Sequence, residues 1–207
     1  MRNQLFMHTV ARVLLALLAL TSIGRQFMLH VGASYSALNF FSYFTNLSNL
    51  VAAFVLLFSV VSVSSASRDH IRYASTVNMA VVGLTFAALL RNVDLGALLP
   101  WVNIVLHYIM PVAVVLDWLV RPPASRLETK TILLAMVFPA IYLAYVVIRG
   151  KSTGWYPYPF LNPANVGGDG GVAMYALGIS ATFLLAGWAL LAIGNRLASP
   201  RPHVAGA

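Results

Sequence analysis

The chain has 207 residues, 60% of them hydrophobic and 9% charged, with a mean hydropathy of +0.82. A water-soluble domain carries about 25% charged residues, so this composition excludes a fold that covers itself with polar surface and requires the bilayer as solvent. The net charge of +8 comes from 13 basic residues scattered between apolar runs, and cysteine is absent; the first reads as a membrane topology signal rather than a nucleic-acid face, and the second excludes disulfides and thiolate-ligated metals.

Six runs are apolar over the roughly 20 residues a helix needs to cross about 30 Å of hydrocarbon. They cover approximately 9–29, 38–62, 71–92, 99–120, 129–149 and 171–195. Their continuous apolarity lacks the alternation of a membrane barrel. The expected fold is therefore all-α, a polytopic membrane protein whose single domain over 1–207 is a bundle of six transmembrane helices.

The first span starts with Arg2 and Arg12, continues through LLALLAL and ends near Arg25 and Gln26. No clear small-x-small cleavage site precedes Gln26, so it reads as a retained span rather than a signal peptide. The second opens with NFFSYFTNLSNL. At 100° per residue Ser42, Thr45, Asn46 and Asn49 share one face through i+3 and i+4 steps, with Ser48 to one side. Polar groups are costly in lipid, so this face is expected to point into the bundle. The third span ends at Arg91 and Asn92.

The fourth span reads WVNIVLHYIMPVAVVLDWLV. His107 lies seven residues beyond Pro100, about 10 Å along a helix, at a depth similar to that of Thr45. Asn103 stands one turn before it and Pro111 one turn after. Trp101 and Trp118 bracket the span as an interfacial belt would. Asp117 lies ten residues past His107, about 15 Å deeper, and is expected to pair with Arg121 at i+4 or with basic residues of the neighbouring loop.

The fifth and sixth spans enclose the one long connection, the outer-side Pro/aromatic loop at 150–170. Residues 149–170 read RGKSTGWYPYPFLNPANVGGDG, and Trp155, Tyr156, Tyr158 and Phe160 favour folding back onto the membrane interface. The segment is a candidate lid or a stiff connector. Nine basic residues (Arg2, Arg12, Arg68, Arg72, Arg121, Arg126, Lys130, Arg196, Arg201) fall on the side of the termini and four (Arg25, Arg91, Arg149, Lys151) on the other. The positive-inside rule then puts both termini in the cytoplasm.

An intramembrane histidine is a functional candidate by default. No carboxylate shares its level, His8, His30, His70 and His203 fall at ends or loops, and HExxH, GxSxG, P-loop and GxGxxG patterns are absent. Neither a metal nor a cofactor is called for. Two readings stay open on the residues alone: a catalytic pair of Thr45 and His107, or a non-catalytic lipid-binding or small-molecule carrier bundle.

The segment FFSYFTNLSNL, the pattern LHYIMP followed by DW, and the loop WYPYPFLNP together resemble a bacterial branch of the six-helix membrane family that includes the androgen-induced and androgen-dependent hydrolases of animals. The resemblance spans the whole chain. It implies a threonine hydrolase of fatty acid esters of hydroxy fatty acids, with Thr45 matching the family's threonine and His107 its histidine. Under that reading His107 takes the Thr45 proton, and the amides of Asn46, Asn49 or Asn103 stabilise the oxyanion. Arg25, Arg91 or Arg149 draw the carboxylate of a lipid whose tails lie in the bundle.

Overall fold

A computed structural model describes residues 2–62, 65–94 and 96–198. Arg201 and His203 lie outside the described residues. The described chain is all-helical, and six of its helical runs are long and apolar enough to cross a membrane. In chain order these are α1 (Arg2–Gly32), a short α2 (Ala37–Phe41) leading into α3 (Phe44–Val61), α4 (Ala66–Thr85), α5 (Pro100–Ile104) continued by α6 (Met110–Val120), α7 (Thr131–Thr153) and α8 (Asp169–Leu197). A π-helical turn, Phe86–Leu90, prolongs α4, and a second, Val105–Ile109, joins α5 to α6.

Local chemistry sets the ends. The Ser65 hydroxyl accepts from the Arg68 N–H at 3.2 Å and caps α4. Pro100, whose missing N–H is an orphan there in any case, starts α5. Gly154, at φ +71°, closes α7 in the left-handed region. Pro111 has no N–H to give the His107 carbonyl, and the π-helical turn lies immediately before it. Gly83 faces this site: a Cβ there would stand 3.0 Å from Pro111 Cβ, so glycine lets α4 pass close to the distorted helix.

The second span differs from the single helix expected over 38–62. It breaks at Ser42 and Tyr43, and α3 begins only at Phe44. The break is held from a distance, because the Tyr142 hydroxyl of α7 donates to the Ser42 carbonyl at 2.8 Å and Asn46 Nδ2 donates to the Phe40 carbonyl at 2.8 Å. Ser42 therefore leaves the helical face it was expected to share with Thr45.

Helix α4 is the centre of the bundle, packing against α3, α6, α7 and α8. Trp118 does not join an interfacial belt. It is 1% exposed and donates through Nε1 to the Leu190 carbonyl at 3.1 Å, lying on Gly194 of α8. Trp101 does stand at the surface.

Asp117 also departs from expectation. Its partners are Arg12 of α1, at 2.7 Å, and Arg72 of α4, at 3.0 Å, rather than Arg121. Arg121 supplies only its carbonyl, which accepts from Arg72 at 2.7 Å. Asp69 completes the network by accepting from the Ala124 N–H at 2.8 Å. With Arg72 and Asp69 almost fully buried, the network ties α1, α4, α6 and the following loop together at the end of the bundle where α1 begins and α8 ends.

The opposite end gathers the segments 33–43, 91–94, 96–99 and 154–168. Gln26 fastens one of them, donating to the Ala97 carbonyl at 3.0 Å and accepting from the Leu99 N–H at 3.1 Å. The long loop folds into the bundle mouth. Phe160 and Leu161 are buried, and the Tyr156 ring rests on Gly150, where a Cβ would collide with its edge.

Candidate functional site

Thr45 is the second residue of α3, so its N–H belongs to the first turn, where no intrahelical acceptor exists. The Tyr158 hydroxyl of the long loop accepts from it at 3.3 Å and lies 3.5 Å from Thr45 Oγ1. Burial pushes the Tyr158 phenol above its ordinary range, so near neutral pH it is an uncharged hydroxyl. Tyr158 is itself stacked on Phe160 and meets Tyr43 edge to face.

His107 occupies the middle of the π-helical turn between α5 and α6 and is 8% exposed. Its ring lies 4.0 Å from that of Phe86, the first residue of the other π-helical turn. Such turns recur at functional sites, and here two of them face each other. Nδ1 lies 3.3 Å from the Asn103 carbonyl oxygen. That contact needs a donor, which assigns the proton of the neutral ring to Nδ1 and leaves Nε2 as the basic nitrogen.

Asn49 joins the two elements. Its Nδ2 donates to the Thr45 carbonyl at 2.9 Å and to the Leu106 carbonyl at 3.1 Å, clamping the start of α3 against the turn that carries His107. Thr45 and His107 both line a chamber of about 520 Å³ at this end of the bundle, together with Asn46, Asn39, His30 and Tyr158. The two side chains make no hydrogen bond to each other. A substrate or water within the chamber is what would connect them.

A second chamber of about 550 Å³ lies between α4, α7 and α8 and is walled almost wholly by apolar groups. Thr45, Leu90 and Tyr158 line both chambers and form the partition between them.

Of the other residues singled out from the sequence, Asn46 lines the first chamber while its amide is committed to the Phe40 carbonyl. Asn49 is fully buried and stands behind the wall. Asn103 contributes its backbone carbonyl to His107, and its own Oδ1 is buried without a partner. Arg25 and Arg91 are exposed and line neither chamber. Arg149 donates to Asn39 Oδ1 and lies over the Trp155 ring at 4.8 Å, at the chamber rim. Sequence reasoning missed Tyr158 and His30 as parts of the site. The WYPYP run was the available signal for Tyr158, since prolines on both sides fix the backbone that aims it.

These features define a six-span membrane bundle whose capped end brings a threonine hydroxyl and an imidazole to one chamber beside an apolar one. The family model described as FAR-17a/AIG1-like protein matches residues 84–192, slightly more than half of the chain, and the chain belongs to this family. No curated protein and no solved structure matched it.

Proposed function

We propose that the chain is an integral membrane hydrolase that cleaves lipid esters, of the class of fatty acid esters of hydroxy fatty acids, through Thr45 and His107. The observation that carries this is their shared chamber, with the imidazole oriented by a backbone carbonyl and the hydroxyl held at a helix start. His107 Nε2 takes the Thr45 Oγ1 proton, directly or through one water, as Oγ1 attacks the ester carbonyl. The acyl–alcohol bond breaks, the proton passes from His107 to the leaving alcohol oxygen, and water then hydrolyses the acyl-threonine to the free acid. Tyr158 stands against the reacting hydroxyl and Asn46 lines the same chamber; Asn49 and Asn103 support the pair from behind. Arg25 and Arg91, together with Arg149, attract the lipid carboxylate from the surface.

The Asn-rich FTNLSN run supports assignment to a bacterial branch of the family, and the nine-to-four distribution of basic residues supports a cell membrane location with both termini in the cytoplasm. A second reading, a non-catalytic lipid-binding or small-molecule carrier bundle, is favoured by one observation: the Nδ2 donors of Asn46 and Asn49 are already given to main-chain carbonyls. Turnover of a hydroxy fatty acid ester by the purified protein, lost in Thr45→Ala, separates the two.

A further inference from the structure

The apolar chamber shares Thr45 with the polar one and is close to it in volume, but its walls are almost wholly apolar. Along α7 its wall runs from Met136 to Ile148, twelve residues or about 18 Å. Ala140, Ala144 and Ile148 line it while being exposed at the bundle surface, so it opens sideways at the level where lipid tails lie. Three of its hydroxyls gather at one end, because Tyr142 reaches the Ser42 carbonyl and Tyr158 reaches Thr45. Apart from Thr85 and Ser180 the remaining lining is apolar, which makes a long slot with a polar head, the shape of a single-chain amphiphile. Small side chains, Ala140 and Ala176 among them, keep the slot open.

We propose that this slot is the acyl-chain site, entered laterally from the bilayer, and that the polar chamber serves the alcohol portion of the ester and water. The proposal deepens the hydrolase reading and rests on it for the identity of the ester, but the slot binds an acyl chain whether or not Thr45 reacts. Tyr158 and Thr45 form the boundary at which the ester carbonyl comes to rest, so specificity divides across them. Chain length is read on the membrane side and polarity on the other.

The test uses the full chain in lipid nanodiscs and a 16-carbon fatty acid bearing a diazirine at its methyl end, with adducts mapped by mass spectrometry. Adducts are expected on 136–148 and 176–183. Ala176→Phe and, independently, Ala140→Phe should each lower them at least tenfold. Ile141→Phe, at a position 65% exposed and outside the slot, is the matched control and should not. Melting of each variant verifies folding. Adducts confined to 35–46 or 155–159, or labelling that both filling variants leave unchanged in folded protein, would overturn the proposal. Slot labelling without ester turnover in the parent chain would instead overturn the hydrolase reading and keep the slot.

Discussion

Replacing Asp117 by alanine gives the sharpest test of the packing. Its side chain is 14% exposed between Arg12, 12% exposed, and Arg72, 4% exposed, with N···O separations of 2.7 and 3.0 Å. The Arg12 contact is bidentate, with its second bond at 3.1 Å. Asp117→Ala leaves two guanidinium groups facing each other in a largely water-free site. Removing one partner of a buried pair costs about 3–5 kcal/mol, against about 0.2–1 kcal/mol for an exposed one. The expected loss is therefore about 3 kcal/mol or more, read from SDS-titrated unfolding in mixed micelles. Arg12→Leu combined with Asp117→Leu should lose less than Asp117→Ala alone, because fewer charges remain unpaired. Ester turnover in the folded fraction should persist, since Asp117 lies about 15 Å along its helix from His107. A loss below about 1 kcal/mol for Asp117→Ala would refute the reasoning and rank the cluster with surface pairs.

Gly194→Leu should lower stability by about 1–3 kcal/mol, because a Cβ there meets Trp118 Cζ2 at 2.8 Å; Gly24→Leu, with nothing within 4 Å, is the control that should not. Equal melting of the two variants would contradict this packing. Burial holds the phenols of Tyr43 and Tyr158 above the ordinary value of 10.0. Both are neutral in either state below pH 10; above it the unfolded chain ionises first, so their stabilisation is full below pH 10 and is lost as pH rises beyond it. Tyr43→Phe and Tyr158→Phe should each flatten the fall in melting temperature between pH 10 and 12, and an unaltered alkaline slope would count against the buried placement.

The six spans were legible because continuous apolar runs of helix length admit few other structures in lipid. The break at Ser42 and Tyr43 was not, since FFSYFT contains neither proline nor glycine. Its stabilising partner Tyr142 lies 100 residues away. Asp117 was legible as an ionic group, but Arg12 is 105 residues distant and helix neighbours gave no hint of it. Trp118 was misread although a signal existed: it follows His107 by eleven residues, close to three helical turns, and so shares its inward direction. The side-chain hydroxyl of Tyr158 reached Thr45 by loop folding alone, a placement that proline spacing restricts without specifying.

The central claim is tested most directly by turnover of a fatty acid ester of a hydroxy fatty acid in purified, folded parent chain, Thr45→Ala, His107→Ala and the double variant. The account predicts hydrolysis by the parent chain, its abolition in each single variant, and no further loss in the double, because residues acting as one unit are non-additive. Thr45→Ser should retain part of the activity, since the attacking oxygen survives. Undiminished hydrolysis by well-folded Thr45→Ala would contradict the account.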